Sequence, residues 1–548
     1  MNTFKSFVCF ICVVLGLALA SHAWAASGPV INFSDLIAAP NSGWSLESPA
    51  KGAVVTIWGR NFGTVRGTSY VSVSGVDLTS DADYAEPWGE AGKPVPFLQR
   101  ISFWLNNTMP QGPGQITVTV NGVTSDPVDF RIGAGNIYFI DIDAANNGSG
   151  TLQSPWDDPK DFLNAMQPGD IGYFRQGLYD EMYNYGKSNI WIKENLSPGT
   201  AEQPIAFVAY PGETPVFDSV ANGSVNFTRG FKVDVAHITI AKMTVNARSS
   251  AIEMGLYGRT VGNDLEGLKE FTGGTGIIYS GSDGAKLFGN TLHGGRTGNR
   301  LDHTIYLGGC NPVEGAEAAY NYSYDSNIDR GPHIVVNHQK DRCPAHQYLK
   351  SHYIYNNLVD CSVYKSRAIG IYDMSWDVGE ANEPEPAYVY NNIINACGQG
   401  GYGAMYHHNG HAEFYNNTVY DSQGPGLQIY SKGDTPVIST TVVNNIFVQR
   451  DGSTAYVTDD EWFGVTTEDS NLYFGGDDTL ISPAATNTVL GDPLFTIDLV
   501  NFDVALDPSS PVAGAGSSSV SPVVTDDFLS NPRTPGAGYD IGAIQVTE

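Results

Sequence analysis

The chain has 548 residues and sets 29 Lys and Arg against 58 Asp and Glu, a net charge of -29. That charge repels nucleic acid and anionic membrane, so any anionic ligand needs a local basic patch. The length exceeds one compact core, which implies at least two domains or an array of repeats. With 62 Gly, 29 Tyr and no sustained 3.6-residue apolar period, the composition favours strands and turns, an all-β chain.

Residues 1–25, MNTFKSFVCFICVVLGLALASHAWA, carry one Lys, an apolar run from Phe7 to Ala20 and a small-x-small ending at Ala23 to Ala25. This is the pattern of a secretory signal peptide and predicts a secreted, periplasmic or cell-surface protein. No later run approaches the roughly 18–20 apolar residues of a membrane span. Cys9 and Cys12 fall in the leader, leaving Cys310, Cys343, Cys361 and Cys397, an even count that suits two disulfides in an exported protein.

From 28 to 132, runs such as VVTIWG, YVSVSGV, RISFWL and QITVTVNGV alternate between turn residues, the pattern of a small antiparallel sandwich. The pieces GAVVTIWGRNFG (52–63) and QITVTVNGVTSDPVDFRI (115–132) resemble an immunoglobulin-like IPT/TIG domain. That resemblance implies a spacer or polymer-binding accessory rather than a catalytic domain. A second pattern begins at about residue 135. The segment from Asp157 to Met166 predicts one short helix, with acidic residues and Pro159 at its start and Pro168-Gly169 after it. Its Phe162, Leu163 and Met166 are suited to cover the open end of a stacked core.

Repeats follow: LFGN290TL, AYN321YSY, IYNN357LV, VYNN392II, FYNN417TV and VVNN445IF, the asparagines 31, 36, 35, 25 and 28 residues apart. Each is succeeded by a further short β-rich run: HTIYLGG, HIVVNHQ, AIGIYDM, GAMYHHN or GLQIYSK. Coils of a parallel β-helix with loops of unequal length have this form, and stacked asparagines can satisfy one another at a bend. The arrangement resembles the right-handed parallel β-helix proteins of the pectate-lyase-like kind over 135–548, and DPLF (492–495), SSPVAGAG (509–516) and YDIGAIQ (539–545) resemble their closing coil. The register brings Cys361 and Cys397 onto adjacent coils and sets Cys310 and Cys343 in loops after consecutive strands, so the expected pairs are Cys361-Cys397 and Cys310-Cys343.

Aligning the later runs puts Ile305, Leu307, Ile334, Val336, Ile369, Ile371, Met405, Leu427 and Ile429 inward. The outward row is then Tyr306, Asn337, Tyr372, Tyr406 with His408, and Tyr430 with Lys432, flanked by His303, His333, Arg367, His338 and Asp373, a long shallow face suited to a linear polymer. Between Lys286 and Gly370 nine Lys and Arg meet seven Asp and Glu, and nine of the eleven His lie between 293 and 411. In so acidic a chain this basic, His- and Tyr-rich stretch suits an anionic polysaccharide, with the protein acting as a monomer.

β-Elimination on such a polymer needs a cation to stabilise the enolate-like carboxylate, a base for the C5 proton and an acid for the leaving oxygen. His303, His338, Tyr372 and His408 form the pool for base and acid. Lys350, Lys365 and Arg367, with Tyr306, Asn337, Tyr406 and Tyr430, form the binding set. The segment LKSHYIYNNLVDCSVYKSRAIGIYDMS (349–375) resembles the alginate lyase and chondroitinase B family, which implies Lys350 as base, although Tyr372, Asp373 and Met374 replace that family's Arg-His-Gly.

Two other chemistries stay open. A glycoside hydrolase would recruit two facing carboxylates from Asp302, Asp373, Asp377 and Glu253. A uronate C5-epimerase shares the first proton abstraction, and a non-catalytic glycan-binding surface protein needs only the face. Zinc is disfavoured because His407 and His408 point to opposite sides of a strand. Ca²⁺ against a substrate carboxylate is open, with Asp302, Asp325, Asp329, Asp373 and Glu253 as available ligands.

Overall fold

In the computed structural model the described residues run from 28 to 546, apart from 46–47, 93, 184–186, 222, 224–227, 268–275, 282, 296–301, 309–312, 329–330, 340–349, 375–384, 400, 431–436, 453, 460–465 and 534–537. The expected Cys310-Cys343 pair lies outside them.

The first hundred of these residues form two antiparallel-rich sheets. One holds Val30–Ser34, Lys51–Arg60, Gln99–Asn106 and Glu90–Ala91; the other is built on Gly112–Val120, with Tyr70–Val73 and Val128–Gly133 beside it. Strand Lys51–Arg60 is buried along its whole interior instead of on alternate residues. Its second face is covered by the rest of the protein. The Tyr173 hydroxyl accepts from the Val54 N–H at 2.9 Å, Lys242 Nζ meets Asp35 at 2.9 Å, and the Arg259 guanidinium donates to Ser34 O at 2.8 Å. Trp44 packs edge-on against Phe139 and Tyr173. One apolar cluster spans both parts.

From Ile137 to Leu490 the strands stack in parallel into three sheets, which matches a right-handed parallel β-helix. Two sheets have twelve strands, from Ile137–Ile140 to Thr466–Asp469 (the docking sheet, which meets the sandwich) and from Gly177–Tyr179 to Val489–Leu490; the third has ten, from Ser188–Ile192 to Val457–Asp459. The last is called the site sheet below. Every residue assigned inward on it is buried in one continuous core. The helix spans Pro159–Ala165, begun by the Asp158 carboxylate accepting from the Lys160 N–H, and its Phe162 packs on Phe207 at 4.9 Å, closing the N-terminal end of that core.

At the bend between the two twelve-stranded sheets the asparagines stack. Asn321 receives the Asn290 N–H at 3.0 Å and its Nδ2 at 3.0 Å on one oxygen, then repeats both donations to Asn357, at 3.0 and 2.9 Å. The pattern continues through Asn392, Asn417 and Asn445 and takes in Asn263 and Asn471 at its ends. The residue before each rung turns the chain with positive φ: Asn356, Asn391, Asn416 and Asn444 between 50° and 61°. Gly262 and Gly289 take that place where the sandwich docks. A Cβ there would lie 2.8 Å from the Trp58 ring and 2.3 Å from the Phe33 ring.

Cys361 and Cys397 form the expected disulfide across adjacent coils, Cα atoms 4.9 Å apart. The C-terminal segment departs from expectation. It does not close the last coil but runs back along the turning residues, where Asn391, Asn416 and Asn444 donate to Asp526 O, Asp540 O and Ser517 O. Phe528 then reaches the sandwich, 5.1 Å from Phe97. Those turns have side-chain amides that the carbonyls of the returning segment satisfy.

Candidate active site

Site-sheet strands open with two consecutive buried residues, such as Ala368-Ile369 and Ala404-Met405, because the chain bends into the sheet there. Alternation starts only afterwards. His333 falls at that bend and is interior: Nδ1 lies 2.6 Å from Ser323 Oγ and Nε2 2.8 Å from Ser366 Oγ, and burial pushes its pKa down to about 3. His407 is interior too, held by Thr440 Oγ1 at 2.9 Å and Asn409 O at 2.8 Å, and His411 bonds Ser439 at 2.7 Å. Neither is available for a shared metal ion with His408.

Two outward rows remain. In register they run Tyr279, Tyr306, Val335, Gly370, Tyr406, Gln428 and, one step further along each strand pair, Gly308, Asn337, Tyr372, His408. Gly370 lets the Tyr406 ring lie flat on the backbone, since a Cβ there would sit 2.3 Å from the ring. The Arg367 guanidinium lies over Tyr406 at 4.4 Å and Tyr402 at 4.8 Å, and its Nη2 donates to Gln428 Oε1 at 3.3 Å. Tyr372 meets Tyr406 edge-on at 4.5 Å and His408 at 5.1 Å, and His408 stacks on Tyr430 at 4.5 Å.

The structure thus gathers Arg367, Tyr372, Tyr406, His408, Tyr430 and Asn337. The expected open face is, at this point, enclosed: Arg367 is 5 % exposed, Tyr406 0 % and His408 2 %. Rings on adjacent coils lean on one another, which alternation along single strands does not reveal. Within this cluster Arg367 Nε, Tyr406 Oη and Asn337 Oδ1 are buried without a hydrogen-bond partner among the described residues. Each such group costs roughly 1–3 kcal/mol unless a ligand or water meets it.

Other expected residues stand apart. His303 and Tyr306 pack together at 5.5 Å on the strand beside that of Asn337, two strands from that of Arg367. The His303 Nδ1 lies 2.8 Å from Pro332 O, and burial pushes its pKa down to about 4, leaving the imidazole neutral with Nε2 as its basic atom. Lys350 opens toward the docking sheet and is paired with Glu385 at 2.8 Å, and Lys365 sits in the turn before Arg367, its ammonium held below its usual value by burial and by Arg450. The side chains of His338 and Asp373, and Asp329, Asp377 and Lys432, lie outside the described residues. Of the Ca²⁺ candidates, Glu253 is bound to Arg229 at 2.5 Å and Asp302 is buried; among the described residues no three His, Cys, Asp or Glu are grouped for a metal ion. Tyr279, Tyr402 and Gln428 were not foreseen. Tyr279 was legible in GIIYS by the same alternation; Tyr402 is in a turn and had no such signal.

The molecule is a parallel β-helix carrying an arginine-centred aromatic cluster on one sheet. No family model and no curated protein sequence matches the chain. Solved structures similar to it include the pectate lyase Pel9A (15% identity, TM-score 0.45, covering 76% of this chain and 97% of that one) and XylC in complex with xylose (12%, 0.46, 74% and 98%). A GH87 alpha-1,3-glucanase catalytic unit from Streptomyces thermodiastaticus is also similar (14%, 0.26, 76% and 88%). At these identities and scores the likenesses do not bear on the reaction. Among the described residues no helix is long and apolar enough to cross a membrane, and the buried disulfide fits an oxidising compartment.

Proposed function

We propose that the protein is an exported polysaccharide lyase that cleaves a uronic-acid-containing polymer by β-elimination. The observation that carries this is the meeting of a buried, aromatic-clamped arginine with buried polar atoms that have no partner among the described residues. A cation kept in a low-dielectric niche stabilises charge that develops on a carboxylate far more than one in water. In the proposed step Arg367 holds the uronate carboxylate; a base takes the C5 proton, the electron pair passes into the carboxylate as an enolate, the C4–O bond breaks, and an acid protonates the departing oxygen. Tyr372 and His408, in contact with each other, supply base and acid. Asn337 and the Tyr406 hydroxyl orient the sugar. His303 and Tyr306 bind a neighbouring unit.

Around Tyr406 the two outward rows carry no carboxylate among the described residues, which favours elimination over paired-carboxylate hydrolysis. Incubation with polygalacturonate, alginate and glycosaminoglycans, followed by ultraviolet absorbance and by reducing-end assay, tests the reading. New absorbance supports it. Reducing ends without absorbance mean hydrolysis, and binding without product means a glycan-binding protein; either overturns it.

A further inference from the structure

Coil is held on coil by the backbone ladder, and the ladder stops where strands end. The strands Leu358–Asp360 and Ile393–Asn395 pair in register, and their ladder ends with the Cys361 N–H donating to Asn395 O at 2.9 Å. Beyond that point the chain makes two turns, 361–366 and 397–403, which carry two parts of the arginine clamp. The first delivers Arg367 to the site sheet. The second carries Tyr402, over whose ring the guanidinium lies at 4.8 Å.

Two ties join these turns where the ladder no longer does. The Cys361-Cys397 bridge links their starts, and at the end of the first turn Ser366 O accepts from the Gly398 N–H at 2.8 Å. In the second turn Gln399 and Tyr402 exchange N–H···O bonds at 3.0 Å, so Tyr402 is carried by the segment that Cys397 anchors. Ser366 is in turn seated on the core. The Thr304 hydroxyl donates to His333 O and the Ser323 hydroxyl to Thr304 Oγ1, both at 2.9 Å, so Ser323 has no proton left for His333 Nδ1, 2.6 Å away. Nδ1 therefore carries the ring proton, and Nε2 accepts from Ser366 Oγ at 2.8 Å. The bridge packs behind that hydroxyl, with Cys361 Sγ 3.5 Å from Ser366 Oγ.

We infer that the Cys361-Cys397 bridge and the Ser366–His333 hydrogen bond are positioning groups for Arg367, fixing the guanidinium over Tyr402 from behind the sheet. That this placement serves turnover rests on the lyase reading above. A cation that must meet a carboxylate in one geometry loses about 10²-fold in rate for a misplacement on the order of 1 Å, and a turn without ladder bonds has that freedom unless it is tied.

The test compares wild type with the double variant Cys361→Ala/Cys397→Ala and with Ser366→Ala, each also made in an Arg367→Ala background. Ser366→Ala keeps the bridge and carries the test if the cysteine variant does not fold. Turnover is measured on the uronate polymer that wild type cleaves, well below each melting temperature. Modification of Arg367 by phenylglyoxal is followed by mass spectrometry, with Arg175, paired with Glu213 on another sheet, as control. The expected result is a fall in kcat of about tenfold for the cysteine variant and about threefold for Ser366→Ala. In the Arg367→Ala background the same changes should alter kcat less than about twofold. Arg367, buried in wild type, should be modified several times faster in both variants while Arg175 is unchanged. Unaltered modification of Arg367 in the folded variants, unaltered turnover, or an equal fall in both backgrounds overturns the positioning role and leaves the lyase reading standing. Absence of unsaturated product from wild type on every uronate polymer overturns the lyase reading alone, and the modification rates then decide the positioning role.

Discussion

Two stacks of side chains run along the same coils and differ in one respect. In the asparagine stack each rung from Asn263 to Asn445 gives its N–H and Nδ2 to the next oxygen, and that oxygen receives both from the rung before. In the strip around Arg367 three buried polar atoms have no partner among the described residues. A polar stack whose members satisfy one another stabilises the fold; one that leaves atoms unmet at a cost of roughly 1–3 kcal/mol each has donors and acceptors open to the proposed ligand. Repetition of residue type is shared by both, so repetition alone does not separate structure from function.

The contrast can be broken most directly at Arg367. Arg367→Ala is expected to lower turnover about 10²–10³-fold while the melting temperature stays within a few degrees of wild type; a collapse in stability with normal specific activity of the folded fraction would make Arg367 a structural residue. Asn392→Ala should behave in the opposite way. It deprives two Asn357 donors of their acceptor and so should cost roughly 3 kcal/mol in denaturant unfolding, with kcat of the folded enzyme unaltered. Smaller still, Tyr406→Phe removes a buried hydroxyl without a partner among the described residues: stability is expected to hold or rise by up to about 1 kcal/mol while activity falls about tenfold, and a marked loss of stability would show that the hydroxyl is satisfied after all.

The smallest effect is a slope. Burial lowers the folded-state pKa of His303 from its ordinary 6.5 to about 4, so the unfolded chain takes up a proton that the folded one refuses. Its contribution to stability is complete above pH 6.5 and is lost as pH falls toward 4. His303→Gln should flatten the stability profile by one proton across that window, measured as unfolding free energy against pH; identical slopes would place His303 in contact with solvent.

Much of the architecture was legible because coil stacking imposes a local rule. An asparagine at each bend and alternating aliphatics after it read out the inward residues, six of the eight rungs and the Cys361-Cys397 bridge directly. The first letter of each pair carried more than was taken from it. Gly262 and Gly289 precede their asparagines where Trp58 and Phe33 press on the turn, and Asn391, Asn416 and Asn444 precede theirs where the C-terminal segment returns. Both sets of contacts join residues at least 73 positions apart, so no short window along the chain contains them.

The chemistry divides in the same way. That Tyr372, Tyr406 and His408 face outward, and that His407 faces inward, follows from a two-residue period acting within single strands, whereas Arg367 faces outward because Ala368 and Ile369 both turn inward where the chain enters its strand. That Tyr372, Tyr406 and His408 meet Arg367 in an enclosed cluster, that His303 stands two strands from Arg367, and that Lys350 turns to Glu385 were decided by which coil stacks on which and by how large rings lean across the gaps between strands. Those are tertiary events: a ring of Tyr406's size finds its place over Gly370 only when the neighbouring coil arrives to provide it.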